Sequence, residues 1–223
     1  MKKALIYKEW KKTRFISMGI LLTGVLLMIY IFISVGRSFR FAGMEHLWDI
    51  IVNRKQFLFR DIKYFPVITG IGMSVAQFVP EIIQKRIKLT LHLPLKESSI
   101  IKLMLGYGLG VLLLTFLVQC IALYIFSCCY FPTEFVVSTF QTVIPWYLAG
   151  LVSYLLVAGI TLEPTWKMRI IYSIMGFATI RLYFLSFMPG AMVPMLWLVV
   201  CIAILLFPLS LLSVHRFKNG NID

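Results

Sequence analysis

EIIQKRIKLTLHLPLKESSIIK, residues Glu81–Lys102, separates two long apolar runs of this chain. Its first half sets Ile83, Ile87 and Leu91 at i, i+4 and i+8 among Gln84, Lys85, Arg86 and Lys88. That spacing predicts a helix with one apolar face. Pro80 predicts a break in the apolar run before it, and Pro94 ends the charged helix. Ser98 or Ser99 then offers a cap for the next helix. The result is a charged knob of about three helical turns, a break and a new helix start. A protein that only spans a membrane has no need of such a knob; one that is pushed by a partner does.

On both sides of this segment the chain is apolar. Of its 223 residues 60% are hydrophobic, and the mean hydropathy is +0.90. Soluble domains are about 45–50% apolar, and a soluble fold of this size cannot hide so much apolar surface. Six runs, 15–35, 64–80, 103–126, 142–160, 170–188 and 192–214, are within or close to the ~17–25 residues that cross a bilayer. The expected fold is all-α: one polytopic transmembrane domain, 1–223, with six transmembrane helices. The split between the last two rests on Pro189-Gly190 as a turn.

The net charge is +13, yet only 14% of residues are charged. The cations stand in short runs beside the spans, so they read as topology markers rather than as a nucleic-acid surface. With the N-terminus inside, fifteen Lys and Arg face the cytoplasm and six face outward, all six in the first outer loop. That asymmetry places both termini in the cytoplasm and the chain in the cytoplasmic (inner) membrane. The start, MKKALIYKEWKKTR, stays charged through Arg14. A cleavable leader turns apolar sooner, so the first span is expected to remain.

Two flanking segments have amphipathic character. Residues 1–14 carry six cations, with Ile6 and Trp10 on one helical face. They predict an elbow helix lying along the inner leaflet, its lysines near anionic lipid, or else a plain charged anchor. In the first outer loop, 36–63, HLWDIIVNRKQFLF (His46–Phe59) mixes bulky apolar residues with charges. It predicts a short surface helix, an interfacial anchor or a substrate-facing lid.

Motifs for chemistry are missing. No GxxxxGK[ST] phosphate loop is present. LGYGLG, Leu105–Gly110, lies inside the third span and lacks the lysine; its Gly106–Gly110 pair predicts close helix packing. His46, His92 and His215 are scattered, and Cys120, Cys128, Cys129 and Cys201 have no ligand spacing. No metal site and no catalytic constellation is assigned. Arg181 is the one charge deep inside a span. It either meets an anionic substrate group, or it snorkels outward or pairs with Glu134 in the outer loop. Glu163 either pairs with Lys167 at the start of a helix or joins a second partner contact. Pro145, Pro194 and Pro208 are expected to kink their spans.

Taken in order, these features resemble the type-2 ABC transporter permeases, the membrane subunits of ABC exporters. Members have a basic amphipathic start with a Lys-Glu-aromatic element, here Lys8, Glu9 and Trp10. After the second span come an acidic residue, a basic-apolar helix, a Leu-x-x-Pro-Leu-like element and a lysine. Here these are Glu81, Gln84–Leu91, Leu93–Leu95 and Lys102. Where many members carry a Gly-Thr pair, this chain has Arg86-Ile87-Lys88. The resemblance implies that 81–102 holds a cytoplasmic coupling helix on which separate ATPase subunits dock. Glu81, Arg86, Lys88, His92 and Pro94 would form that contact. It also implies a homodimer or a pairing with a paralogous permease, and ATP and magnesium bound by the partner ATPase rather than by this chain. Two other classes stay open: a secondary transporter or accessory membrane protein, and an intramembrane lipid-modifying enzyme. The first usually shows acidic residues within spans or inverted repeats; the second needs paired acids or a nucleophile with a base. Neither pattern stands out.

Overall fold

The computed structural model describes residues 2–52, 59–84, 97–185 and 190–206. Among them there is helix and no strand. The helices are α1 (Lys2–Val52), α2 (Phe65–Ile83), α3 (Glu97–Tyr130), α4 (Thr133–Leu162) and α5 (Trp166–Leu182), followed by α6 (Val193–Leu206). Four stretches, Lys2–Ser38, Arg60–Ile83, Ser98–Tyr130 and Thr133–Leu162, are long and apolar enough to cross a membrane. The fifth and sixth expected spans correspond to shorter helices. Lys167, Arg169 and Arg181 dilute the apolar character of α5, which is 17 residues long. The expected sixth span continues past Leu206 to residues outside the described ones.

Helix α1 corrects two boundaries. It runs unbroken for 51 residues, so no elbow is set off at residue 14 and no separate outer helix starts at His46. The cause is plain in the sequence. No proline occurs before Pro66, and a change from charged to apolar residues does not interrupt a helix. Its buried stripe, Leu5, Glu9, Thr13, Gly24, Met28, Ile31 and Val35, keeps helical spacing across residue 14 without a break.

Prolines set fewer boundaries than expected. Helix α2 passes through Pro80 and ends at Ile83, with the Gln84 amide donating to the Pro80 carbonyl at 3.1 Å. Pro145 lies within α4, inside the span where the sequence put it. Pro132, by contrast, precedes the first turn of α4, and Glu134 follows inside that turn. The expected outer loop holding Glu134 is therefore helix. Glu97 opens α3, so Ser98 and Ser99 lie inside its first turn rather than at its cap.

Helix α4 is the centre of the bundle. Inside the protein, 72% of its most apolar 18-residue window is buried, against 17% for α1. One face packs on α2 with backbones touching: a Cβ at Gly70 would collide with the Gly150 carbonyl and Ser153 Oγ, and one at Gly150 with the Pro66 carbonyl. Ser153 Oγ shares its proton between the Gly150 carbonyl of its own helix at 2.8 Å and the Val67 carbonyl across that seam at 3.2 Å. Another face buries Ala149, Val152 and Leu156 against Tyr183, Met192 and Val199. The chain leaves α5 at Leu182 and turns before α6. Gly190 takes a positive φ of 73°, and its amide donates to Thr142 Oγ1 at 3.0 Å. A turn thus falls where Pro189-Gly190 suggested one.

Where α1 nears Val35 and α2 begins, aromatic rings close the bundle. Phe32 of α1 stacks on Phe126 of α3 at 4.1 Å. Phe59, wholly buried, meets Phe126 and Phe131 edge-on. Lys63 lies over the rings of Tyr64 and Phe184 at 5.0 and 5.5 Å.

Candidate functional site

The opposite end of the bundle is closed by charge. On α1, Leu5, Glu9 and Thr13 follow one another at i, i+4 on the buried stripe. A carboxylate therefore enters a seam where an apolar side chain would be usual. Glu9 is only 1% exposed, and so is Glu81 in the last turn of α2. Buried carboxylates need cations or donors, because desolvation of an isolated charge is costly. Lys8 and Lys12, one helical turn apart, supply them. Lys12 Nζ stands 2.9 Å from Glu9 Oε2 and 3.1 Å from Glu81 Oε1. Lys8 Nζ stands 3.1 Å from Glu81 Oε1. Two carboxylates and two ammonium groups make a neutral cluster, open to solvent mainly on the Lys8 side.

A second tier ties this cluster to the other helices. Gln77, one turn before Glu81, donates from Nε2 to Glu9 Oε2 at 3.0 Å and to the Met104 carbonyl of α3 at 2.8 Å. Its Oε1 accepts from the Tyr154 hydroxyl of α4 at 2.7 Å. Gly108 makes room for this contact, since a Cβ there would collide with the Tyr154 hydroxyl and Gln77 Oε1. Thr13 Oγ1 donates to the Glu9 carbonyl at 2.9 Å and sits 3.0 Å from the Tyr107 hydroxyl. A hydroxyl has one proton, so Tyr107 is the donor of that second bond. Four helices, α1 to α4, thus meet in one hydrogen-bonded network.

Of the residues singled out in the sequence, Lys8, Glu9 and Glu81 are brought together. Trp10 is not with them. It is exposed, with its ring 5.9 Å from that of Tyr7. Arg86, Lys88, His92 and Pro94 lie outside the described residues. Arg181 is not deep in a span: it occupies the last turn of α5, exposed, with its guanidinium 5.1 Å from the Phe177 ring centre. A cation suits a helix C-terminus. Glu163 is buried at the end of α4, where its carbonyl accepts from Arg169 Nε at 2.7 Å. Gly106 and Gly110 pack against no helix among the described residues, because a Cβ at either meets nothing within 4 Å. The close-packed glycines are Gly24, against Gln119, and Gly70, Gly108 and Gly150.

Lys12, Thr13, Gln77, Tyr107 and Tyr154 were not singled out by sequence. The signal for Gln77 was present: an amide inside an apolar run has to find a partner within the bundle. Among the described residues no group of three His, Cys, Asp or Glu side chains has a metal-binding arrangement. Family models, curated proteins and solved structures give no match to the chain.

Proposed function

We propose that the chain is the membrane-spanning permease subunit of an ABC exporter for a hydrophobic or amphipathic substrate. It would act as a homodimer or with a paralogous permease in the inner membrane, both termini in the cytoplasm. Separate ATPase subunits would bind ATP and dock on the segment between α2 and α3 through Arg86, Lys88, His92 and Pro94. The observation that supports this reading is the attachment of Glu81. The 81–102 segment leaves α2 at this residue, and Glu81 is held by Lys8 and Lys12 of α1. One turn back, Gln77 reaches α3 and α4 through Met104 and Tyr154. A push on the segment would therefore enter four helices at once rather than bend a loose connector. The resemblance of Lys8–Trp10 and of 81–102 to the permease pattern supplies the direction and the partner.

The test is purification in mild detergent with the products of neighbouring genes. An ATPase subunit is expected to accompany the chain at equal stoichiometry. Reversing Arg86 and Lys88 to glutamate should abolish that association while membrane insertion persists. A stable chain that purifies alone, with no ATPase bound, would sink the proposal.

A further inference from the structure

Helices α1 and α3 run side by side in parallel, as the contacts Thr13–Tyr107 and Phe32–Phe126 show. Their buried faces meet, and beside that seam an open groove of 410 Å³ runs along the outside of the bundle. Its walls include Trp10, Met18 and Leu21 of α1 and Gly106, Gly110 and Leu114 of α3. The two glycines give it depth, because open space lies where their side chains would be.

The groove has a chemical gradient along both walls. On α1 the groove is lined by Trp10, Met18 and Leu21, and Lys3, Tyr7 and Arg14 fall on the same helical stripe. On α3, Lys102 lies one turn before Gly106, and Lys102, Gly106, Gly110 and Leu114 follow at i, i+4. All four are exposed. Both walls therefore begin with cations, and both end in apolar side chains. On the α1 wall, Tyr7 and Trp10 stand among the cations, and amphipathic rings of this kind favour the headgroup level of a bilayer. Lys8 and Lys12 neutralise the buried carboxylates, but Lys3, Arg14 and Lys102 carry no ion pair among the described residues. Arg14 Nε is buried without a hydrogen-bond partner.

We propose that this groove binds one anionic phospholipid. Its phosphate sits by Lys3 and Lys102, its glycerol region between Trp10 and Arg14, whose guanidinium lies over the Phe15 ring at 4.6 Å, and an acyl chain fills the trough over Gly106 and Gly110. A second copy of the chain is the less fitting occupant. Unpaired cations at the mouth of the groove would face the like charges of a symmetric partner, whereas an anionic headgroup neutralises them. The inference is independent of the exporter reading, since it needs only a membrane protein with this groove.

Native mass spectrometry of the full chain, released from mixed phosphatidylglycerol and phosphatidylcholine vesicles, tests it. The wild type should retain one phosphatidylglycerol in preference to phosphatidylcholine. Arg14→Gln and Lys102→Gln should each lower that preference about fivefold, the effect of removing one cation near a lipid surface. A Cβ at Gly110 meets no described atom within 4 Å, so Gly110→Leu is expected to fold, to occupy the trough and to lose the bound lipid. Equal retention of both lipids by the wild type would overturn the proposal. So would a Gly110→Leu variant that keeps its lipid, or one that loses a dimer while keeping its lipid; the latter would make the groove a helix contact.

Discussion

The two ends of the bundle are fastened by opposite kinds of force. Glu9 and Phe32 lie 23 residues apart on α1, about 35 Å along a helix, close to the thickness of the hydrocarbon core. At the Phe32 end, rings from α1, from α3 and from the segments leading into α2 and α4 meet by dispersion alone. Ring contacts are individually weak and tolerate sliding, since offset and edge-on geometries differ little in energy. At the Glu9 end, each donor has a named acceptor, and a shift of an ångström leaves a buried charge unpaired. The aromatic end therefore supplies cohesion. The charged end fixes which turn of α1 faces which turn of α2.

This contrast can be broken by substitution. Glu81→Ala should have the largest effect, because it strands Lys8 and Lys12 beside a single carboxylate. Losing one partner of a buried pair costs about 3–5 kcal/mol. Thermal unfolding in detergent should show it as a large fall in midpoint, and an unchanged midpoint would mean the cluster is solvated. Phe59→Ala should cost about 3 kcal/mol by opening a cavity. The sharper comparison is Phe59→Leu, which should cost under about 1.5 kcal/mol, whereas Glu81→Gln is no milder in kind, since it removes the charge. If Phe59→Leu proves as damaging as Glu81→Gln, the aromatic end also sets register. Tyr154→Phe removes one hydroxyl and leaves Gln77 Oε1 short of a donor, a loss of about 1–2 kcal/mol. The smallest effect belongs to Arg181→Gln. With its side chain exposed over Phe177, the midpoint should not move. A transport defect at normal membrane levels would instead assign Arg181 to a substrate path.

The membrane-spanning character was legible from hydropathy, and the turn at Gly190 from its dipeptide. Helix boundaries were legible only in part. Hydropathy began the fourth span at Thr142, whereas α4 starts nine residues earlier at Thr133, directly after Pro132. A helix extends as far as its backbone allows, not as far as its apolar run. The same reasoning accounts for α1, where a shift in charge was read as a break that no residue enforces. Pro80 shows the reverse error: a proline near a helix end was read as a break, and the helix runs on past it to Ile83.

The charged cluster was half legible. Lys8, Glu9 and Glu81 were prominent as charges at the edges of apolar runs. Their mutual pairing was not readable, because pairing depends on which helices are neighbours and in what register. Glu9 and Glu81 are 72 positions apart, and no local rule links them. Periodicity held a further clue: continuing the apolar stripe of α1 back through Met28 and Gly24 reaches Thr13 and Glu9, which marks both as inward-facing.

The unbroken length of α1 has a mechanical consequence. At 51 residues it measures about 75 Å, more than twice the hydrocarbon thickness of ~30 Å. Such a rod is a lever with the bilayer as its fulcrum. A tilt change of about 10°, small within the range membrane helices span, sweeps each tip through about 6 Å in opposite directions. With α1 across a bilayer, its Lys2 and Val52 tips would move together in opposite directions, with no break in the helix between them to absorb the motion.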